Sequence, residues 1–197
     1  RIAHVITALE VGGAELKLYR LLKYFQGNNT ENVVVSLAAV GTVGEKIKQL
    51  GVPVFSIGMK PGKVPSLYRV LRLLRTVRNV RPHVIQGWMY HGNLAATIAW
   101  LFRRKNVRLM WNIRQSLGDL NNEASLTRKV IRVSAWLSRI PETIIYNSRQ
   151  SAQQHERYGL AASKTVYIPN GFYIEADVDY SKTCQGFRRE QLIEKDT

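Results

Sequence analysis

The stretch 2-IAHVITALEVGGAELKLYRLLKYF-25 passes from an apolar run to a segment with helical spacing, and two adjacent glycines stand at the junction. The run 2–9 predicts a buried strand. Leu16, Tyr19 and Leu22 have the three- and four-residue spacing of a helix that buries one face. A strand, a glycine turn and a helix in this order are typical of the first unit of an open α/β sheet.

The same unit repeats along the chain. Further apolar runs of strand length lie at 32–38, 52–58, 83–88, 107–113, 143–148 and 165–171, and segments with helical spacing at 44–50, 66–80, 93–102, 124–139 and 149–159. Such alternation predicts a parallel sheet with helices on both faces. We predict a Rossmann-like, doubly wound, mainly parallel α/β sheet of about six or seven strands. Residues 1–172 would form this domain, and 173–197 would be a linker and the start of a further domain.

The composition is typical of a reducing compartment, and we expect a cytoplasmic protein. Cys184 is the one cysteine among 197 residues, so it cannot form an internal disulfide, and no cysteine–histidine cluster has zinc-like spacing. The run 82–102 carries no Asp, Glu, Lys or Arg and is long enough to span a membrane. Polar residues and glycines interrupt its middle, and it is therefore interpreted as a strand, a loop and a buried helix.

The charge is strongly basic and unevenly placed. The net charge is +15, and the segment 46–118 contains 14 Lys or Arg with no Asp or Glu. Such a field attracts nucleic acid, phosphorylated substrates or an anionic lipid surface. Composition alone leaves these three classes open.

The loop after the first strand is the first candidate for ligand binding. Gly12 and Gly13 would permit positive φ and a close approach of a ligand to the backbone, and the helix that follows would favour phosphate at its amino end. Glu15 would be stabilised in the first helical turn whatever its function. A tight turn required only for packing is the alternative, because the pair lacks the third glycine of a dinucleotide-binding fingerprint.

The segment 86-QGWMYHGNLAA-96 is the second candidate. His91 is expected in the loop after the fourth strand, where it could act as a general base or polarise a ligand. Asn93 is expected as a helix N-cap. Trp88 and Tyr90 either belong to the core or line a cleft.

The segment 111-WNIRQSLGD-119 is the third candidate. Arg114 would clamp an anion, because its guanidinium fork matches carboxylate or phosphate. Gln115 and Ser116 could donate hydrogen bonds in the same loop.

Two further loops complete the set. Asn147 and Ser148 begin a helix, with Ser148 as the expected N-cap. Asn170 and Gly171 predict a turn that tolerates positive φ. Because carboxyl ends of parallel strands meet at one edge of a sheet, all these loops should form one cleft.

Five short motifs also occur in the order and at the spacing of a known family. They are GGAE after the first strand, WMYHGNLAA after the fourth, WNIRQS after the fifth, YNS after the sixth and IPNG at the end of the pattern. Over about residues 2–172 they resemble the N-terminal domain of a retaining glycosyltransferase of the GT-B fold, in glycosyltransferase family 4 (group 1).

The resemblance implies two Rossmann-like domains that face each other across a cleft. The N-terminal domain would mainly bind the acceptor, and the C-terminal domain would bind the nucleotide-sugar donor and carry a paired-glutamate motif, E-x7-E. No two glutamates of this chain stand eight positions apart, so the chain would be one half of such an enzyme. The family usually needs no divalent metal. Many relatives glycosylate glycan, lipid-linked or cell-envelope acceptors at the inner membrane face.

The resemblance also assigns roles to residues. Gly12, Gly13 and Glu15 would face the donor phosphates and the transferred sugar. His91 and Arg114 would be the catalytic residues that position acceptor and leaving group; some relatives have a histidine near the place of Arg114, so the catalytic base stays open. The acceptor cleft would be lined by Trp88, Tyr90, Asn93, Gln115, Ser116, Asn147, Ser148 and Asn170.

The helix predicted at 66–80 gives the basic segment 46–118 a use. Its apolar face would consist of Leu67, Val70, Leu71, Leu74 and Val77, with Arg69, Arg72 and Arg75 roughly opposite. We expect the basic side to contact an anionic membrane peripherally; a solvated face is the alternative.

Two other functions compete with sugar transfer. A nucleotide- or nucleic-acid-binding module would use the basic field, but the sequence has no RNA-binding sheet motif and no helix-turn-helix signature, so nucleic acid is not expected as a partner. An NAD-dependent enzyme is disfavoured because residues 36–39 lack the acid that would bind the ribose.

Overall fold

Seven parallel strands form one sheet in the computed structural model, which describes residues 1–60, 62–103, 106–118 and 124–171. The strands are β1 (Ile2–Ile6), β2 (Asn32–Ser36), β3 (Val54–Ser56), β4 (Val84–Trp88), β5 (Arg108–Ile113), β6 (Thr143–Tyr146) and β7 (Thr165–Tyr167). The helices are α1 (Gly13–Tyr24), α2 (Gly41–Gln49), α3 (Leu67–Val80), α4 (Met89–Leu101), α5 (Ser125–Leu137) and α6 (Arg149–Arg157), and a short 3-10 turn (Ala162–Lys164) precedes β7.

The strand order is β3-β2-β1-β4-β5-β6-β7. Each neighbouring pair is parallel, and β1 lies between β2 and β4 with Ile6 opposite both Ser36 and Trp88. The predicted doubly wound sheet is confirmed, with seven strands. The order changes direction between β1 and β4, so the connections that follow these two neighbours leave on opposite faces.

Helices cover both faces of the sheet. The first layer, α1 and α2, packs with Ile6 and Trp88 around one core cluster. The second layer, α3 to α6, packs with Val5, Ile85 and Trp111 around a larger one. Val5 and Ile6 face opposite layers because side chains alternate along a strand. Burying each of these large apolar side chains contributes about 1.5–3 kcal/mol.

The strand β4 passes into α4 without a loop, and this corrects the expectation for 82–102. Met89 takes the left-handed conformation (φ 62°), which redirects the chain within one residue. His91, expected in a loop, therefore lies in the first turn of α4. Asn93 is not an N-cap but is buried inside the helix, and Trp88 has the N-cap position. Within the described ranges, no helix has the length and hydropathy needed to cross a bilayer.

Two glycines allow α4 to lie directly against the sheet. A Cβ on Gly92 would be 2.6 Å from the carbonyl oxygen of Val5 in β1. A Cβ on Gly87 would be 2.5 Å from the Cα of Asn93. Both contacts involve backbone or Cα atoms, which cannot move aside as a flexible side chain could. The amino end of α4 is thereby fixed beside the carboxyl ends of β1 and β4.

The buried face of α3 overlaps the predicted one at Val77 but is rotated away from Leu67 and Leu71. Leu73, Val77 and Val80 are its buried residues. Leu67 and Leu71, which the spacing assigned to the core, are exposed on the same side as Arg72 and Arg75. The helix carries apolar residues at helical spacing on two sides, and spacing alone cannot tell which side meets the sheet.

Two expectations concern the end of the chain. Neither Asn170 nor Gly171 has a positive φ, so the conformation that this pair would tolerate is not used. The proposed linker 173–197, with Cys184, lies outside the described residues.

Replacing Gly92 with alanine should lower the free energy of unfolding by about 2–3 kcal/mol, because either α4 or β1 must shift to admit the methyl group. Gly118→Ala is the matched control, since nothing lies within 4 Å of its Cβ position. Urea unfolding of both variants measures the difference. Equal effects at the two sites would show that α4 does not approach β1 this closely.

Candidate functional site

The polar segments that follow the strands meet at the carboxyl edge of the sheet. There the connection after β1 leads to α1 in the first layer, while β4 leads to α4 in the second. Open α/β sheets bind ligands in the crevice at such a switch point.

The two glycines at the start of α1 leave its backbone accessible. Gly12 is extended (φ −161°, ψ 170°), a conformation open to any residue, and the atoms nearest its Cβ position belong to the flexible carboxylate of Glu15. Nothing lies within 4 Å of the Cβ position of Gly13. Neither positive φ nor packing therefore explains the pair. What the missing side chains provide is close access to the first N–H groups of α1.

Arg114 is the central cation of this edge. It follows β5, is half-buried, and its Nη1 donates to Oδ1 of Asn170 at 2.6 Å. Its Nε is buried without a hydrogen-bond partner among the described residues. Burial lowers the pKa of its guanidinium, and none of the three ion pairs in the described ranges includes it. A buried, unpaired guanidinium donor is costly and is well suited to an anionic ligand.

Lys17 adds a second positive charge from α1. Its Nζ donates to the carbonyl oxygen of Gly171 at 2.6 Å, which joins the first helix to the segment after β7. Desolvation and repulsion by Arg20 and Arg114 lower the pKa of the Lys17 amine. The repulsion indicates that Lys17 and Arg20 of α1 and Arg114, which follows β5, face the same region.

Trp88 supports Arg114 from below. The Cζ atom of Arg114 lies 5.4 Å from the centre of the indole ring, within the range of a cation–π contact. The indole Nε1 donates to Nδ1 of His4 at 3.3 Å, and Nε2 of His4 pairs with Oδ1 of Asn32 at 3.0 Å. The amide of Asn32 is itself oriented by a bond from Nδ2 to the carbonyl oxygen of Thr30.

This chain of contacts fixes the tautomer of His4. Because Oδ1 of Asn32 can only accept, His4 carries its proton on Nε2, and Nδ1 accepts from the indole. Burial lowers the pKa of His4 to about 4, although the hydrogen bonds to Asn32 and Gln86 oppose the shift. A second proton on Nδ1 would face the indole N–H of Trp88, so protonation breaks the support of the ring.

On the side of α4, His91 is half-buried at the edge. Burial lowers the pKa of its imidazole, so it is neutral near pH 7. Behind it, Oδ1 of Asn93 accepts from the backbone N–H of Asn112 at 3.3 Å. The amide Nδ2 of Asn93 and Oδ1 of Asn112 have no partner among the described residues. One buried donor, on Asn93, and one buried acceptor, on Asn112, are therefore left without a partner among the described residues.

Other predicted cleft residues have structural roles. Tyr90 is buried and its hydroxyl pairs with Nε2 of His155 at 2.7 Å, so it does not line the edge. The hydroxyl of Ser148 caps α6 by accepting from the N–H of Ser151, as predicted. The carbonyl oxygen of Gln115 accepts from the hydroxyl of Ser151.

Two more candidates keep their accessibility. Ser116 is exposed and Asn147 is half-buried, and their roles stay predictions. The described residues contain no group of three or more His, Cys, Asp or Glu that could hold a metal ion.

A large cavity lies away from the carboxyl edge. It has a volume of about 750 Å³ and is lined by residues of the amino edge, among them Thr30, Asn32, Val52 and Phe55. No candidate residue of the carboxyl edge lines it, so this cavity is not the candidate site.

Lys17, His4 and Asn32 were missed by the sequence analysis. Lys17 stands four residues after Gly13, on the same side of a helix, and this spacing could have identified it. His4 and Asn32 sit inside apolar strands, where the sequence gives no sign of their partners.

Comparisons with known proteins identify a family and a fold. The family model described as Glycosyltransferase Family 4 matches residues 11–176. No curated protein sequence matches the chain significantly. Among solved structures, Anabaena Alr3699/HepE in complex with UDP is 23% identical with a TM-score of 0.71 over 95% of this chain and 50% of that one.

Two further structures share the fold at lower identity. The lipopolysaccharide outer core galactosyltransferase WaaB is 14% identical with a TM-score of 0.66, over 89% of this chain and 47% of that one. UDP-N-acetylglucosamine 2-epimerase from Rickettsia bellii is 14% identical with a TM-score of 0.51, over 85% and 44%. The chain spans about half the length of the structures it matches.

The pKa of His4 predicts how stability depends on pH. Its pKa in the folded state is about 4, below the ordinary value of 6.5. Between pH 6.5 and pH 4 the unfolded chain therefore binds a proton that the folded chain does not, and the free energy of unfolding decreases as the pH is lowered. Protonation of His4 in the unfolded chain should lower the free energy of unfolding by about 2–3 kcal/mol between pH 7 and pH 4.5. Urea unfolding at both pH values should show this loss. His4→Gln, which cannot titrate, should reduce this loss by that amount. An unchanged loss in His4→Gln would contradict the burial of this imidazole.

Proposed function

The chain belongs to glycosyltransferase family 4, and we propose that it forms the acceptor-side domain of a retaining enzyme. The enzyme would transfer a sugar from a nucleotide-sugar donor to a glycan, lipid-linked or cell-envelope acceptor, as in polysaccharide biosynthesis. Because the chain spans about half of the structures it matches, a second domain would bind most of the donor. That domain would begin within the segment 173–197.

The observation that carries the proposal is the state of Arg114. Its guanidinium is half-buried beside the switch point, and its Nε lacks a partner among the described residues. Asn170 and Trp88 fix its position from two sides. A fixed cation at a desolvated edge stabilises negative charge that develops on a leaving phosphate, because it does not need to reorganise during the reaction.

Lys17 and the start of α1 would complete the phosphate contacts. Lys17 lies on the side of Arg114, and Gly12 and Gly13 give access to the backbone of α1. These groups could neutralise the diphosphate of the donor without a divalent cation, so we propose that no metal cofactor is needed.

His91 and Glu15 would contact hydroxyl groups. A neutral imidazole can accept a hydrogen bond from the acceptor hydroxyl. The carboxylate of Glu15, next to Gly12, would accept from a hydroxyl of the transferred sugar rather than approach a phosphate of like charge.

A retaining transfer of this kind depends on positioning. The bond from the anomeric carbon to the donor phosphate breaks, the acceptor oxygen bonds to the same face, and the acceptor proton passes to the leaving phosphate. Arg114 and Lys17 would stabilise that phosphate, and fixed geometry would supply much of the rate. Because the leaving phosphate takes the acceptor proton, such a transfer does not require a dedicated catalytic base.

We place the enzyme in the cytoplasm, in peripheral contact with the inner membrane face through its basic segment 46–118. Lipid-linked or cell-envelope acceptors would be reached there.

Arg114→Gln should lower donor turnover by the full-length protein about 100- to 1000-fold, as expected for one preorganised donor of charge stabilisation. The turnover of Arg114→Lys should lie between those of the parent and Arg114→Gln, because lysine keeps the charge but not the planar fork. Donor hydrolysis and transfer are measured over a set of nucleotide sugars, beginning with UDP-glucose, which is present in a HepE structure.

Arg157→Gln is the matched control, because Arg157 is exposed at the end of α6. It should leave turnover unchanged. Failure of the parent to bind or turn over any nucleotide sugar would overturn the proposed function, and equal loss in both variants would overturn the role of Arg114.

Gly13→Ala tests whether the open backbone of α1 is used by the donor. Since the position has no neighbour within 4 Å, the free energy of unfolding should not change. The KM for the donor should rise about tenfold, the scale of one misplaced methyl group. Initial rates against donor concentration give this value, with Gly118→Ala as control. An unchanged KM would mean that the donor does not approach this turn.

A further inference from the structure

The outer side of the second helical layer exposes an unusual number of large apolar side chains. Val64 is 81% exposed, Leu67 74%, Tyr68 68% and Trp136 74%. These residues belong to α3, the segment before it, and α5. Together with the end of α4, they define an outer helical surface whose exposed apolar residues are Val64, Leu67, Tyr68, Leu71, Leu101, Phe102, Val133 and Trp136.

These residues share one side of the molecule. The helices α3, α4 and α5 all pack through their inner faces on the same core cluster, and α4 contacts both of the others. Their exposed faces therefore point away from the sheet in the same general direction. The first layer covers the opposite face of the sheet.

Positive charges are interspersed with the apolar residues. On α3, Arg72 and Arg75 are exposed one turn after Tyr68 and Leu71, and on α5, Lys129 and Arg132 precede Trp136. The sequences of α3, α4 and α5 contain no Asp or Glu. By contrast, the first layer carries Glu15 and Glu45. Within these three helices the surface is thus apolar, and its charged side chains are all cationic.

The geometry points to an anionic lipid bilayer as the partner of this outer helical surface. Exposed leucine, tyrosine and tryptophan side chains among Lys and Arg are the composition of surface-lying membrane helices. Each basic residue near an anionic bilayer strengthens binding about fivefold. Phosphate groups of a nucleic acid would use the arginines but leave the apolar side chains in water.

This docking would place the carboxyl edge close to the membrane, and it rests on the proposed function for its purpose. With the outer helical surface on the bilayer, the sheet lies parallel to it, about one helix diameter (~10 Å) away. The cleft then opens sideways. Leu67 begins α3 at the carboxyl edge, so a lipid-linked acceptor would enter the cleft beside it.

Co-sedimentation of the full-length protein with vesicles tests the docking. The vesicles contain phosphatidylglycerol and phosphatidylethanolamine in equal parts, with phosphatidylcholine vesicles for comparison. Arg72→Gln with Arg75→Gln should weaken binding about thirtyfold, and Leu67→Ser with Trp136→Ser about tenfold or more. The matched control is Lys23→Gln with Tyr24→Ser on the first layer, where Tyr24 is 78% exposed. It should bind as the parent does.

Donor hydrolysis without vesicles is measured on the same variants. Unchanged hydrolysis with lost vesicle binding supports the docking, and vesicle binding without any transferase activity supports the docking while refuting the proposed function. Parent-like binding by both outer-surface pairs would overturn the docking. So would an equal loss in the control pair, or binding of RNA or an acidic protein in place of vesicles.

Discussion

At the junction of β1 and β4, α4 lies so close to the sheet that Gly87 and Gly92 leave no room for a Cβ. This contact determines the arrangement of the whole edge. It requires the chain to turn at Met89 without a loop, and it places His91 beside the end of β1. Since α1 leaves on the other face, the crevice between the two helices follows from this one packing constraint.

The cation at this edge is held by groups from distant parts of the chain. Trp88 lies under Arg114, and His4 and Asn32 fix the indole through hydrogen bonds inside the sheet. Burial disfavours the charged guanidinium, and an anionic ligand would offset that cost. The same desolvation strengthens any interaction with a phosphate, because the local dielectric constant is low.

Much of the fold was predictable, because strands buried on both faces appear as continuous apolar runs and the helices between them are periodic. The predictions from local sequence were wrong where packing against the sheet determined the structure. Asn93 is a residue typical of an N-cap, but α4 packs against the sheet and begins four residues earlier, at Met89. The face of α3 was misassigned since both sides carry leucines. Arg114 and Asn170 were predicted at one edge, whereas their direct bond, and the role of His4, depend on side-chain positions that no spacing encodes.

The bonds at the rim join residues that are far apart in the sequence. Arg114 and Asn170 are separated by 56 residues, and Lys17 and Gly171 by 154. Contacts of such long range form late, because a large loop must close before they stabilise anything. During synthesis, which proceeds from the amino end, β1 and α1 are made long before β7. The bonds of Arg114 to Asn170 and of Lys17 to Gly171 would therefore form only after β7 has joined the sheet.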